Sequence, residues 1–480
     1  MNKFRFVDLF CGGGGSATGA VSVLKSAGMN YEGRCFNHWD IAIKTIKDNH
    51  PELVPDARRA CAPVESVLPD EIFRDDSRRI DVLWASPSCT HHSNAAGGVP
   101  RSNQLRCQPE FLLPYLRLTQ VRRVFIENVP ELEKWGPLLD KDIIWQGKLY
   151  KAGTPDPRHK GRFFNLWLQE IKASGYRVDY SILNAADYGA VTSRRRLIVQ
   201  AVRRSTGEKI VWPEPTHSKD PGLFQYKPWR SAAEIIDWSI AGKSIINRSK
   251  PLCPNTLRRI KEGIRRYWGD WAKPFLVILR GTHDDQILST ARSLDMVLPS
   301  LTSTCAHFML IRPIWLDLSH TKNDGVSGTV DTPLNTICCT HGTHAVVQPL
   351  FIPQQTCGSV KPTDQPLPTI ATSGAIGLAM PFISKYYGTG GNAPVSSPLP
   401  TITTKDRFML VRDGVLTAPD GSSYKLDITH RMLTSRELSN ATGFPDDYRF
   451  AGKDEEVKQQ IGNAVPPPLA AALYRAALSA

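Results

Sequence analysis

Cysteine pairs spaced for metal or disulfide chemistry are missing from this chain. Its 480 residues include ten cysteines, none arranged as C-x-x-C, and only Cys338 and Cys339 are neighbours. That absence argues against a zinc centre, so no metal site is expected, and against a disulfide framework. Long apolar runs are lacking too. Nothing approaches the roughly 20 residues needed to span a bilayer. The opening MNKFRFVDLFCGG has neither the apolar stretch nor the small-residue cleavage site of a signal peptide. The expectation is a cytoplasmic protein with no membrane partner. Acidic residues are scarce, 46 against 59 Lys and Arg, which leaves a net charge of +13. A surplus of that size suits a polyanion, whose phosphates basic side chains neutralise. It is equally compatible with plain solubility. With 41% hydrophobic and 22% charged residues, the composition is that of a globular protein with a real core. The length allows two domains or more.

What is present begins with an alternation. Over the first 200 residues, strand-like stretches (Phe4–Phe10, YEGRCFNHWD, Ile80–Ala85, Val124–Glu127) take turns with helix-like ones. A helix is predicted from the glycines after Phe10 to about Lys25, another over Asp40–Asn49, and another around Leu105–Leu118. RFFNLWLQEIKASG reads as an amphipathic helix, and YRVDYSILNA and RRLIVQAV as two further strands. This pattern predicts an α/β fold with a mostly parallel, doubly wound, Rossmann-like sheet. Ligands in such sheets lie beyond the carboxyl ends of the strands. After Arg203 the texture changes. DMVLPSLTS (Asp295–Ser303), DTPLNTICCT (Asp331–Thr340), DQPLPTIATS (Asp364–Ser373) and SSPLPTITTK (Ser397–Lys405) recur about every 32–36 residues, amid β-rich segments. They predict a β-rich domain inserted before the α/β texture resumes. The end of the chain reads as a helix started by proline.

Chemistry concentrates where the predicted strands end. DLFCGGGGSATG fits G-x-G-x-x-A loosely, with glycines that let a cofactor approach and a helix N-terminus that favours negative charge. Alone it would serve a dinucleotide, S-adenosylmethionine or a tight turn. Cys89, in ASPSCTHHS, is a packed core residue, a metal ligand or a nucleophile. Glu127 and Asn128 could be a strand end and cap, and SRRR a solvated basic face.

The order of the segments is more specific. DLFCGGGG, PSC, ENVP (Glu127–Pro130), NAADYGAVTSRRR (Asn184–Arg196), RELSNATGFPDDY and IGNAVPPPL follow one another. In this the chain resembles the DNA cytosine-5 methyltransferase family, of prokaryotic or phage type, over roughly residues 4–202 and 430–478. The resemblance implies an S-adenosylmethionine-binding catalytic domain at 1–202. It implies a repeat-containing target-recognition region at 203–429 and a segment, 430–480, that returns to the catalytic domain. It implies methyl transfer to carbon 5 of a flipped-out cytosine. Cys89 would be the nucleophile that adds to carbon 6, Glu127 the acid/base at the ring edge, and Arg194 and Arg196 the residues that hold the base. Phe10, Gly12, Gly14, His38, Trp39, Val64, Pro87, Asn463 and Val465 would bind S-adenosylmethionine. Double-stranded DNA would be the partner of a monomer, with a cognate restriction endonuclease as a possible second partner. A tRNA methyltransferase on the same framework and a DNA-binding relative without catalysis are the alternatives; intact Cys89 and Glu127 speak against the latter. Four positions depart from the family pattern. His38 stands where a carboxylate holds the ribose, and Cys61 or Pro63 where an Asp faces the adenine. Ser88 precedes the cysteine, and Thr192 replaces a Gln.

Overall fold

The computed structural model describes residues 3–69, 72–73, 79–88, 106–222, 226–240 and 427–480, with shorter stretches between 243 and 425. These form two compact units. The first comprises Met1–Ile236, Asp295–Cys305 and Thr434–Ala480, the second Asp237–Leu294 and Ala306–Leu433.

In the first unit the strands are β1 (Phe4–Leu9), β2 (Tyr31–Phe36), β3 (Arg79–Ala85), β4 (Gln120–Asn128), the hairpin pair β5 (Ile143–Trp145) and β6 (Lys148–Tyr150), β7 (Tyr176–Asn184) and β8 (Arg195–Arg203). Six of them make one sheet in the order β2-β1-β3-β4-β8-β7. The first four run parallel, and β8 runs antiparallel to both neighbours. A parallel sheet is covered on both faces, so its central strands are apolar throughout. β3 shows this: Val82, Leu83, Trp84 and Ala85 are all buried.

Helices cover each face. The α1 (Gly15–Ser26), α2 (Asp40–Asn49) and α7 (Pro467–Leu478) helices bury one face around Phe6, Val82, Trp84 and Phe125. Tyr474 of α7 stacks on Trp84, with ring centroids 6.0 Å apart. The end of the chain therefore belongs to the core of this unit. The α3 (Leu113–Leu118) and α4 (Arg162–Ala173) helices cover the other face, against Val124, Ile126 and Val199. Two further helices, α5 (Ser435–Thr442) and α6 (Asp454–Asn463), precede α7. This is the doubly wound α/β architecture expected. One helix is shorter than its expectation. Leu105 lies outside the described residues, and the rest divides into a 3-10 turn, Gln108–Leu112, and α3. Pro109 and Pro114 lack the N–H groups that a continuous helix requires.

Among the described residues the second unit is β-rich. Lys243–Ser244, Asp427–Met432, Phe308–Leu316, Phe275–Ile278 and Ala291–Ser293 form an antiparallel sheet in that order, and Ser327–Thr329 pairs with Phe308–Leu316. Its core gathers Ile260, Val277, Ala291, Met309 and Ile311. The repeats at 331–340, 364–373 and 397–405 lie outside the described residues. Residues 295–299 of the first repeat belong to the first unit, where Leu298 exchanges backbone hydrogen bonds with Val191 (2.9 Å) and Ser193 (2.6 Å). Among the described residues no helix is long and apolar enough to cross a membrane.

Candidate active site

The carboxyl ends of β1, β3 and β4 lie side by side, and β8 begins at the same edge. Glu127, next to last in β4, pairs with Ile198. Two residues earlier on β8, on the same face and nearer the edge, is Arg196. Its Nε lies 2.7 Å from Glu127 Oε1, and both side chains are buried. Such a pair is costly to desolvate, so its geometry must be held. Asn128 faces the other way. Its Nδ2 donates to Pro87 O at 3.0 Å, and its Oδ1 accepts from Val129 N–H. The chain after β3 is fixed at each step: Ser86 N–H donates to Leu9 O (3.1 Å), Trp84 Nε1 to Ser86 Oγ (3.1 Å), and Ser88 N–H to Gln108 Oε1 (2.9 Å). Cys89, the next residue, lies outside the described residues. Arg194 does something different from Arg196. Wholly buried, it donates from Nη1 to Gly462 O (2.7 Å), a carbonyl in the last turn of α6. A cation is favoured at a helix C-terminus, and this contact ties the start of β8 to the tail of the chain.

The glycine turn follows β1. Phe10 takes a left-handed φ of 60° and packs partly on the core. Gly12 has a φ of 52°, and no atom lies within 4 Å of where its Cβ would be, which leaves room for a ligand against the backbone. Gly14, with φ 82°, is the N-cap of α1. At Gly15 a Cβ would sit 2.0 Å from Val465 O. Only glycine allows the tail of the chain to lie against α1. The next strand end contributes Asn37, His38 and Trp39. Asn37 Oδ1 accepts from Trp39 N–H (2.9 Å) and orients the turn. Asn37 bridges to Cys61, whose thiol donates to His38 O (3.9 Å), so Cys61 is brought beside His38. His38 and Asn463 are exposed, Trp39 is half-buried, and Val64, Pro87 and Val465 are buried. The donor set suits a cofactor with an apolar ring system and a polar, zwitterionic end. Phe10, Trp39 and Val64 offer apolar contact. The open backbone at Gly12 and the buried, unpartnered Gln460 Oε1 near Gly13 offer polar contact.

Sequence reasoning missed the residue beneath this turn. Asp8 is buried in β1, and its carboxylate accepts from Ser16 Oγ and from Ala17 N–H in the first turn of α1. A protein carboxylate thus takes the helix N-terminus that the glycine pattern offers to a ligand. Burial is the main cause that pushes the Asp8 carboxyl up to about 7; the Ser16 and Ala17 hydrogen bonds oppose it, and Glu127 adds to it. A carboxyl whose pKa rises on folding favours the folded state less as pH climbs from its unfolded value near 4 toward 7. Asp8→Asn keeps an acceptor for Ser16 and Ala17 and removes the charge. It is expected to leave stability at pH 4 almost unchanged and to raise it at pH 8 by no more than about 4 kcal/mol. Urea unfolding of both proteins at the two pH values checks this. A difference that does not grow with pH refutes it. Tyr448, whose hydroxyl donates to Gly13 O (2.8 Å), was also missed. Nothing local in GFPDDY marks that contact.

Parts of the chain are similar to known proteins. The family model "C-5 cytosine-specific DNA methylase" matches residues 156–249 and 381–479. DNA (cytosine-5)-methyltransferase 1 of Mus musculus is 24% identical over 98% of this chain, which spans 28% of that protein's length. The type II methyltransferase M.BsuRI of Bacillus subtilis is 36% identical over 15% of this chain and 17% of its own. Among solved structures, the Entamoeba histolytica methyltransferase EhMeth aligns over 100% of this chain and 99% of its own, with 15% identity and a TM-score of 0.47. Over the two matched segments this chain is similar to the C-5 cytosine-specific DNA methylase family, and over a shorter stretch to the bacterial relative.

Proposed function

We propose that this protein methylates carbon 5 of a flipped-out cytosine in duplex DNA, with S-adenosylmethionine as methyl donor. The observation that carries the reading is the buried Glu127–Arg196 pair at the end of β4, beside a Pro87 carbonyl held by Asn128. Cytosine carbon 5 is a poor nucleophile. Addition of the Cys89 thiolate to carbon 6 makes it an enamine carbon. Glu127 supports that addition through a proton at ring nitrogen 3, and Arg196 fixes the carboxyl so that it points at one place. S-adenosylmethionine, when bound, supplies an electrophilic methyl group for carbon 5. Phe10, Gly12, Gly14, His38, Trp39, Val64, Pro87, Asn463 and Val465 would hold it. Loss of the carbon 5 proton to a base then expels Cys89 as thiolate, and the nitrogen 3 proton leaves with it. The ring edge is inaccessible inside a stacked duplex, so the base must leave the stack. Residues 1–202 and 430–480 supply this catalytic part in our reading, and 203–429 the target recognition.

Base-resolution bisulfite sequencing of DNA from cells that express the chain tests the proposal. The expected result is 5-methylcytosine at one recurring sequence. Methylation confined to tRNA, or no methylation of either nucleic acid by folded protein, would overturn it.

A further inference from the structure

The β5–β6 hairpin takes no part in the chemistry above. Its turn, Gln146–Gly147, has φ values of 47° and 73°, the two left-handed positions of a type I′ turn. Ile143 pairs with Tyr150, Ile144 with Leu149, and Trp145 with Lys148. The stem is tied down. Leu139 N–H donates to Thr154 O (2.9 Å), Gly153 N–H to Leu139 O (2.8 Å), Asp156 N–H to Pro137 O (2.9 Å) and Ala152 N–H to Asp142 Oδ1 (2.7 Å). Leu139 and Trp135 anchor it in the core. The tip is left in solvent: Ile144 is 76% exposed, Leu149 55% and Trp145 40%.

Two observations say what the tip meets. The first is position. The hairpin leaves the sheet at the edge that carries Glu127, in the connection from β4 to α4. Its stem accepts at Gly136 O from the buried Arg106 Nη1 (2.7 Å), the first described residue after Cys89 and the stretch that follows it. The second is charge. Lys141, Lys148 and Lys151 are exposed along the hairpin and its flanks, and Lys148 Nζ sits over the Tyr150 ring at 5.5 Å. A two-stranded ribbon with apolar side chains and flanking lysines matches a nucleic-acid groove, with cations for phosphates and apolar groups for sugar and base edges. We propose that the β5–β6 hairpin is a preformed arm that binds duplex DNA beside the target base, Lys141, Lys148 and Lys151 on phosphates and the Ile144–Leu149 pair in the groove. This rests on DNA being the substrate.

The test compares the parent with Lys148→Ala/Lys151→Ala and with Ile144→Thr/Leu149→Thr. Threonine keeps strand propensity and removes most of the apolar surface. Binding to a fluorescein-labelled mixed-sequence duplex is followed by anisotropy across a salt series, with calorimetric binding of S-adenosylmethionine as the measure of an intact fold. The lysine variant is expected to lose about two from the slope of log K against log salt, close to 0.9 for each phosphate contact. The threonine variant is expected to bind DNA about tenfold more weakly with an unchanged salt slope. Parental DNA affinity and slope in both variants overturn the proposal. So does loss of self-association in the threonine variant, by sedimentation, while DNA binding stays parental, since the pair would then meet a second copy of the chain. A parent that binds tRNA and not the duplex refutes the DNA reading itself, which the variant comparison keeps separate.

Discussion

Cys89→Ala is expected to remove methyl transfer by at least about 10⁴-fold and to leave binding of DNA and S-adenosylmethionine close to parental. Without a thiolate, carbon 5 never becomes enamine-like. The chain delivers this position with care. Ser86, Pro87 and Ser88 are each held by a hydrogen bond to β1, β4 or Gln108, so the residue that follows starts from a fixed point. The other described cysteines of the first unit are poorer candidates. Burial pushes the Cys11 thiol up, and the hydrogen bond that Cys35 donates to Cys11, together with burial, pushes Cys35 higher still. Burial raises Cys107 too. Thiols held protonated are weak nucleophiles. A duplex containing 5-fluorocytosine should therefore trap a covalent adduct in the peptide that contains Cys89, because fluorine cannot leave as a proton does. An adduct on Cys11, Cys35, Cys61 or Cys107, or substantial activity in the alanine variant, would refute the assignment.

The strands that end in this site were legible because they are buried on both faces. FVDLF, IDVLWA and VFIE are short apolar runs closed by glycine, proline or a polar pair, and the sheet places them next to one another. Strand direction was less legible. Nothing in RRLIVQAV says antiparallel; the connection from Asn184 to Arg195 does, since it is too short for a crossover. The β5–β6 hairpin left no clear trace. Each strand has three residues, and Gln-Gly is a weaker turn signal than Asn-Gly. In the site, motif order pointed to Glu127 and Arg196, which the structure brings into contact. It could not separate Arg196 from Arg194. One meets a carboxylate two positions diagonally across the sheet, the other a carbonyl 268 residues away in sequence. Partners that distant are set by packing, and a single sequence does not record them. The same reason hid Tyr448 from view.

Arg196→Met is expected to destabilise the protein by about 3–5 kcal/mol at pH 8, more than Glu127→Gln and more than the double variant. The asymmetry follows from burial. Glu127 is 5% exposed, and Arg196 Nε at 2.7 Å is the charge that offsets its desolvation. When only the arginine is removed, a carboxylate remains buried beside the raised carboxyl of Asp8. Burial and a neighbouring carboxyl both favour the protonated acid. Protonation of a buried, unpaired carboxylate removes the charge and with it the cost of desolvation. The penalty of Arg196→Met should therefore be largest at alkaline pH and fade in acid. Urea unfolding at pH 5 and pH 8 should show the single variant recovering much of its loss in acid. The Glu127→Gln/Arg196→Met double variant should show no such recovery, since it carries no buried charge at this position. Catalysis should split differently. Glu127→Gln keeps the shape but loses the acid, and its kcat should fall about 10²–10⁴-fold with KM for DNA little changed. A double-mutant cycle with no coupling between the two residues, or an Arg196→Met penalty that is flat between pH 5 and pH 8, would mean that the pair does not hold Glu127 as the geometry requires.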